Sequence, residues 1–130
     1  MKKIRVAIIG CGMIADTHLT ALRNAGADVI GVYDQNLERA ADFANMRGMH
    51  VYESMEALLS DDIEIVSVCT PSGTHASLAM TLMEHGKHVI VEKPMALTVK
   101  DCQRIIETEK KSGCFFILTF FIFLFCLRLL

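Results

Sequence analysis

Between Lys3 and Ser112 short, unbroken apolar runs alternate with segments of helical periodicity, and this constrains the fold more than any other feature. The runs are "IRVAIIG", "DVIGVYD", "HVY", "IEIVSVCT" and "HVIVEK". Strands buried on both faces read as continuous apolar stretches, and the helices between them supply the crossovers that parallel neighbours need. The pattern predicts an α/β fold, a doubly wound parallel sheet with helices on both faces. At 130 residues the chain makes one such domain with a real core.

The helical segments carry their own boundary signals. "MIADTHLTALRNAG" places Ile14, Leu19 and Leu22 near one face, with Gly26 to stop it. "NLERAADFANMRG" starts at Asn36 as N-cap and closes at Gly48. "SMEALLSD" opens on Ser54 with Glu56 in its first turn, and "HASLAMTLMEHG" follows the fourth strand. "TVKDCQRIIETEKKSG" begins on Thr98 with Asp101 three residues on, a capping-box-like start, and ends at Gly113. The element expected next is a sixth strand, and "CFFIL" (Cys114 to Leu118) serves for it.

The chemistry concentrates at strand ends. "AIIGCGMIA" puts Gly10-x-Gly12-x-x-Ala15 where the first strand meets the first helix. Gly10 permits a tight turn, Gly12 lets backbone approach a pyrophosphate, and Ala15 allows helix to pack closely on sheet. The first helical turn, Met13, Ile14 and Ala15, presents free N–H groups and a partial positive charge to phosphates. A purely structural turn is the alternative; the strand before and helix after favour a dinucleotide site. Cys11 reads as a small turn residue. Asp34 ends the second strand, about twenty residues past the glycine motif, where a carboxylate accepts hydrogen bonds from ribose hydroxyls. It repels a 2′-phosphate, so NAD is favoured over NADP, with Arg39 able to reverse that preference in part. As a bystander Asp34 would be a turn or N-cap aspartate.

Two more loops lie on the same rim. "SVCTPSGTHA" places Thr70, Pro71 and Ser72 against the cofactor, with Ser72 or Thr74 available to cap the next helix. His75 contacts substrate or cofactor there, or simply caps. "VIVEKPMALT" ends the fifth strand on Glu92-Lys93-Pro94. Lys93 at such a position can hydrogen-bond a substrate oxygen and help move a proton during hydride transfer. Glu92 can pair with Lys93 or orient it, and Pro94 keeps Lys93 extended.

Gly10-x-Gly12-x-x-Ala15, Asp34, "CTPSGTHASLA" and above all "GKHVIVEKPMA" resemble the N-terminal domain of the glucose–fructose oxidoreductase and inositol dehydrogenase (Gfo/Idh/MocA) family. The resemblance runs from about Lys3 to Leu118. It implies a Rossmann-type domain binding NAD(P), and oxidation or reduction of sugars, cyclitols and related alcohols. It makes Lys93 the catalytic-site lysine and implies a cis Lys93–Pro94 bond. It also implies a second α/β domain that carries much of the substrate site and often the oligomer interface, so that the full-length parent is a homo-oligomer acting on a small sugar or polyol.

That second domain does not follow here. Residues 1–118 read as the dinucleotide-binding domain and 119–130, "TFFIFLFCLRLL", as an apolar tail outside it. Six of the seven phenylalanines lie between Phe115 and Phe125, which contributes to the mean hydropathy of +0.39. Cys114 to Leu130 just reaches the roughly 17 residues a membrane helix needs, but its first five serve as the sixth strand. The reading favoured is a chain interrupted after Leu118 and catalytically incomplete; a membrane anchor and a functional extension are the alternatives. A non-catalytic dinucleotide-binding or interaction module is the competing function.

The remaining composition bounds the partners. A net charge of −2 with no basic run beyond Lys110-Lys111 does not suggest nucleic acid. Five cysteines without a C-x-x-C pair suit a reducing cytosol and neither a disulfide framework nor zinc. "MKKIRVAIIGCG" is too short an apolar run for a signal peptide, so a cytoplasmic protein is expected. His85-x-x-His88 falls at a helix end and a strand start, which suits capping better than metal binding.

Overall fold

A computed structural model describes residues 1–120. Its six strands, β1 (Arg5–Ile9), β2 (Asp28–Tyr33), β3 (His50–Val51), β4 (Ile65–Val68), β5 (His88–Glu92) and β6 (Phe116–Thr119), lie in the order β3-β2-β1-β4-β5-β6. Every neighbouring pair is parallel. The helices α1 (Met13–Asn24), α2 (Leu37–Asn45), α3 (Met55–Ser60), α4 (His75–Glu84) and α5 (Val99–Ser112) run between them. This is the doubly wound α/β architecture that the alternation predicts.

Successive strand residues point to opposite faces. In β1, Val6 and Ile8 join Ala15, Leu19, Ala40 and Phe43 in one core. Ala7 and Ile9 join Leu58, Leu82, Met83 and Ile105 in the other. Both faces are dry, which is why the first strand shows no polar alternation. The chain winds one way from β1 to β3 and the other way from β4 to β6. The reversal between β1 and β4 leaves a crevice at their carboxyl ends, where open α/β sheets bind ligands.

Three helix starts are capped by side chains. Asn36, Ser54 and Thr98 each accept a backbone N–H three residues on, at 3.0, 3.1 and 3.1 Å. Gly113 ends α5 in the left-handed conformation, φ +72°. Helix α2 stops earlier than expected, at Asn45, and Gly48 lies in the turn beyond it.

The sixth strand is displaced from its predicted position. It covers Phe116–Thr119, while Cys114 packs in the core with its thiol 3.6 Å from the Met83 carbonyl. Thr119, assigned to the tail from sequence, sits in register with Glu92 and is 5% exposed. Its hydroxyl lies 3.3 Å from the Val91 carbonyl and 3.2 Å from Glu92 Oε1, so burial leaves it satisfied. Residues 121–130, the rest of the apolar tail, lie outside the described residues. Among the described residues no helix is long and apolar enough to cross a membrane.

Candidate functional site

The crevice is a cleft of about 590 Å³ at the carboxyl ends of β1, β2 and β4. Gly10, Gly12, Met13, Ile14, Asp34, Thr70 and Pro71 line it, as the sequence pattern expects. The side chains of Tyr33, Arg39, Met55 and Leu78, which sequence reasoning did not assign to a site or assigned only in part, complete its walls.

The two glycines do different things. Gly10 has φ +92°, and a Cβ there would fall 2.7 Å from the carbonyl carbon and oxygen of Cys69 and 2.9 Å from Thr70 N. The loop after β1 therefore passes against the end of β4 at a distance only glycine allows. Its N–H donates to the Tyr33 carbonyl at 2.8 Å. Gly12 has an ordinary extended backbone, φ −82° and ψ −167°, and a Cβ there would meet nothing within 4 Å. Nothing within the described fold demands glycine at this position. Gly12 is also the N-cap of α1 and provides no side-chain cap, so the helix opens onto the cleft with first-turn N–H groups uncapped by side chains.

Asp34 is 8% exposed and anchors the glycine loop. Its Oδ2 accepts the Cys11 N–H at 2.9 Å and its Oδ1 accepts the Asn36 N–H at 2.8 Å. A carboxylate has about four acceptor sites, so capacity for hydroxyl donors remains. Arg39, more than half exposed, places Nη1 3.7 Å from Oδ2. The aspartate and arginine expected from the sequence to bear on nucleotide choice thus stand side by side on one wall.

Thr74 also lines the cleft, whereas Ala15, Ser72, His75, Glu92 and Lys93 do not. Ala15 is fully buried under α1, the close packing expected of it. Ser72 starts a single 3-10 turn, Ser72–Thr74, that runs directly into α4; neither Ser72 nor Thr74 caps that helix. The Thr74 hydroxyl instead lies 2.6 Å from Thr70 Oγ1 and 2.8 Å from the Pro71 carbonyl. His75 is 2% exposed. Its Nδ1 lies 2.8 Å from the Pro94 carbonyl and its Nε2 2.8 Å from the Thr70 carbonyl. It clamps the loop after β4 to the loop after β5 and has no ring nitrogen left for a ligand in this arrangement.

Lys93 is exposed at the end of β5, and the Lys93–Pro94 bond is cis, as the resemblance implies. Glu92 does not pair with the Lys93 ammonium. It turns inward, 7% exposed, with Oε1 3.1 Å from His18 Nε2, and its Oε2 accepts the Lys93 backbone N–H at 3.2 Å. His18 and Ser67, whose Oγ lies 2.8 Å from His18 Nδ1, were missed from sequence. A signal existed: His18 shares a helical stripe with Ala15, Leu19 and Leu22, and Ser67 interrupts an apolar strand. Buried polar residues need partners, and these two have each other.

Two thiols face this region. Burial, then the Asp34 charge, pushes the Cys11 thiol up to about 11, with Arg39 and Arg47 opposing. Burial pushes Cys69 up to about 12, with the Ser67 hydrogen bond opposing. At pH 8 a thiol of pKa about 11 is about 0.1% thiolate, and the thiolate is the reactive form. Alkylation with iodoacetamide at that pH, read by peptide mass spectrometry, is expected to label half-buried Cys102 well before Cys11 or Cys69. Fast labelling of Cys11 in the folded protein contradicts this geometry.

Comparison with known proteins agrees with the geometry. The model of the Gfo/Idh/MocA oxidoreductase family, with an NAD-binding Rossmann fold, matches residues 4–120. The chain belongs to this family. Inositol 2-dehydrogenase of Salmonella typhimurium is 35% identical over 115 residues, which cover 85% of this chain and 34% of that protein. A 4-carboxy-2-hydroxymuconate-6-semialdehyde dehydrogenase of Sphingobium is 34% identical over 113 residues, 85% of this chain and 36% of that protein. Among solved structures, the WlbA dehydrogenase of Bordetella pertussis, in complex with NADH and UDP-GlcNAcA, superposes with a TM-score of 0.86 at 28% identity, over 91% of this chain and 35% of that one. The chain spans about a third of the length of the curated relatives it matches.

Proposed function

We propose that this chain is the NAD-binding part of a dehydrogenase that moves hydride between a nicotinamide cofactor and a sugar, cyclitol or related alcohol. One observation carries the cofactor reading: Gly12 has no reason within the fold to be glycine, and it stands where the uncapped start of α1 meets the cleft. A pyrophosphate brought against that backbone supplies the reason. Asp34, held by two backbone N–H groups, accepts the adenosine ribose hydroxyls and disfavours a 2′-phosphate. Thr70 and Pro71 support the half of the cofactor nearer β4.

When bound, the nicotinamide supplies the hydride acceptor or donor. Lys93 binds the reacting substrate oxygen and stabilises its charge as its proton leaves or returns. The loops that carry Thr70 and Lys93 are tied by His75, so cofactor and lysine keep a fixed relation. The substrate class rests on the named activities of the relatives. Since this chain spans about a third of their length, the remaining two thirds supply the walls that exclude water from the reacting atoms.

Calorimetry with NAD⁺ and NADP⁺ tests the proposal. NAD⁺ is expected to bind more tightly than NADP⁺; no heat with either at millimolar concentration rejects the cofactor reading. No turnover of polyols by residues 1–130 on their own is expected, and turnover would overturn the assignment of the remaining pocket walls to the other two thirds of the relatives' length. Membrane tethering by the tail remains the competing role for residues 121–130, and co-sedimentation with liposomes distinguishes it.

A further inference from the structure

A buried polar chain runs beneath the cleft and is not used in binding the cofactor. His18 of α1 is 1% exposed. Its Nδ1 lies 2.8 Å from Ser67 Oγ on β4, and its Nε2 lies 3.1 Å from Glu92 Oε1 on β5. Thr119 Oγ1 of β6 lies 3.2 Å from that same oxygen. Ser67 Oγ also lies 3.9 Å from Cys69 Sγ, at the far end of the chain. Four structural elements therefore meet at these side chains, directly behind Lys93.

Proton counting gives the chain a direction. A carboxylate only accepts, so His18 carries its hydrogen on Nε2 and donates to Glu92. A neutral ring has one such hydrogen, which leaves Nδ1 as acceptor for the Ser67 hydroxyl. Ser67 oxygen then accepts from the Cys69 thiol. The titratable groups facing the ring are Glu92 directly and Cys69 through Ser67. Burial holds the His18 imidazolium form down, against the bond and charge of Glu92, which favour it. The opposite direction would turn the Ser67 hydrogen toward sulfur, a weak acceptor. The donors thus run from β4 through α1 to Glu92, whose other oxygen accepts the Lys93 N–H at 3.2 Å, a hydrogen shared with the Thr119 carbonyl of β6 at 3.0 Å.

We infer that His18 is a positioning residue: as the neutral Nε2–H tautomer it holds one oxygen of Glu92, so that the other shares the Lys93 amide with the Thr119 carbonyl and helps fix where that side chain leaves β5. The use made of Lys93 rests on the proposed function; the proton arrangement does not.

NMR on the full chain labelled with ¹⁵N tests this. Two-bond ¹H–¹⁵N correlations are expected to show His18 as the Nε2–H tautomer, without titration between about pH 5 and about 8. An Nδ1–H tautomer or an imidazolium overturns the inference. His18→Gln keeps an N–H near the Nε2 position, and His18→Asn keeps one near Nδ1. The Lys93 amide proton, which keeps its bond to the Thr119 carbonyl in both, is expected to hold its shift in the Gln variant and to move upfield in the Asn variant, where the bond to Glu92 is lost. Equal loss in both, as a plain packing residue would give, overturns it; so does no loss in either. If one variant does not fold, Ser67→Ala, which removes only the donor to Nδ1, is expected to leave the Nε2–H tautomer and the Lys93 amide in place, since Glu92 alone dictates them; an Nδ1–H ring or a displaced amide overturns the inference. Adding NAD⁺ to the same samples separates the two readings. A wild-type spectrum unmoved by NAD⁺ rejects the cofactor site while leaving the Gln and Asn contrast to decide His18.

Discussion

Gly10→Ala is expected to destabilise the fold by about 3 kcal/mol or more, whereas Gly12→Ala leaves stability within about 0.5 kcal/mol and weakens NAD⁺ binding instead. The two positions are two residues apart and both are glycine, but the structure treats them oppositely. At Gly10 the added carbon meets backbone at 2.7 Å on β4, which cannot swing aside as a side chain can. Overpacking of that kind costs about 1–3 kcal/mol. The left-handed φ of +92° adds strain of about 1–2 kcal/mol. Against a total stability of about 5–15 kcal/mol this is a large fraction. At Gly12 the same carbon points into open space on an ordinary backbone, so the fold does not register it. A pyrophosphate seated there does. Urea unfolding followed by circular dichroism, with NAD⁺ calorimetry on each variant, reads both halves. A Gly12→Ala protein that binds NAD⁺ as the parent does removes the observation on which the cofactor site stands.

Asp34→Ala is expected to lower NAD⁺ affinity about 100-fold and to narrow or reverse the preference for NAD⁺ over NADP⁺. Hydrogen bonds to a charged group contribute about 1.5–3 kcal/mol each, and two ribose hydroxyls are lost as donors. The substitution also releases Cys11 N–H and Asn36 N–H, which now bond to the carboxylate at 2.9 and 2.8 Å, so the glycine loop loosens. Arg39, freed from its neighbour at 3.7 Å, then faces a 2′-phosphate without competition. Titrating both nucleotides against Asp34→Ala and Asp34→Asn separates the effects. Asn keeps an acceptor oxygen for one of the two loop N–H groups and loses both the second acceptor and the charge that repels the phosphate. If the ratio of the two affinities is the same in all three proteins, Asp34 does not select the cofactor and serves the loop alone.

Much of this was legible before any coordinates, and the reason is local. The doubly wound sheet follows from apolar runs without alternation, since only strands covered on both faces are written that way. The glycine turn follows from a strand, two glycines and a helix in immediate succession. Asn36, Ser54 and Thr98 were readable as caps because an N-cap acts on a backbone N–H three residues away. The site residues that the cleft gathers, Gly10 to Ile14, Asp34, Thr70 and Pro71, all follow a strand end directly, so placing the strands placed them.

The misplacements have the opposite character. Of the two roles open to Glu92, pairing with Lys93 or orienting it, the ion pair does not form: adjacent side chains at a strand end point to opposite faces, and Glu92 turns toward His18. His75 was placed among ligand contacts by its position on the rim, yet its ring is taken by two carbonyls from separate loops. Thr119 was counted with the tail because it precedes an apolar stretch, and it belongs to β6 because β5 offers it Glu92 and the Val91 carbonyl. The sequence by itself determined the architecture, the cleft and the residues on its rim, because each is signalled by a pattern a few residues long. Only the tertiary structure decided where the polar side chains turn, because His18, Ser67, Glu92 and Thr119 come from four elements and find their partners only when the sheet brings them together.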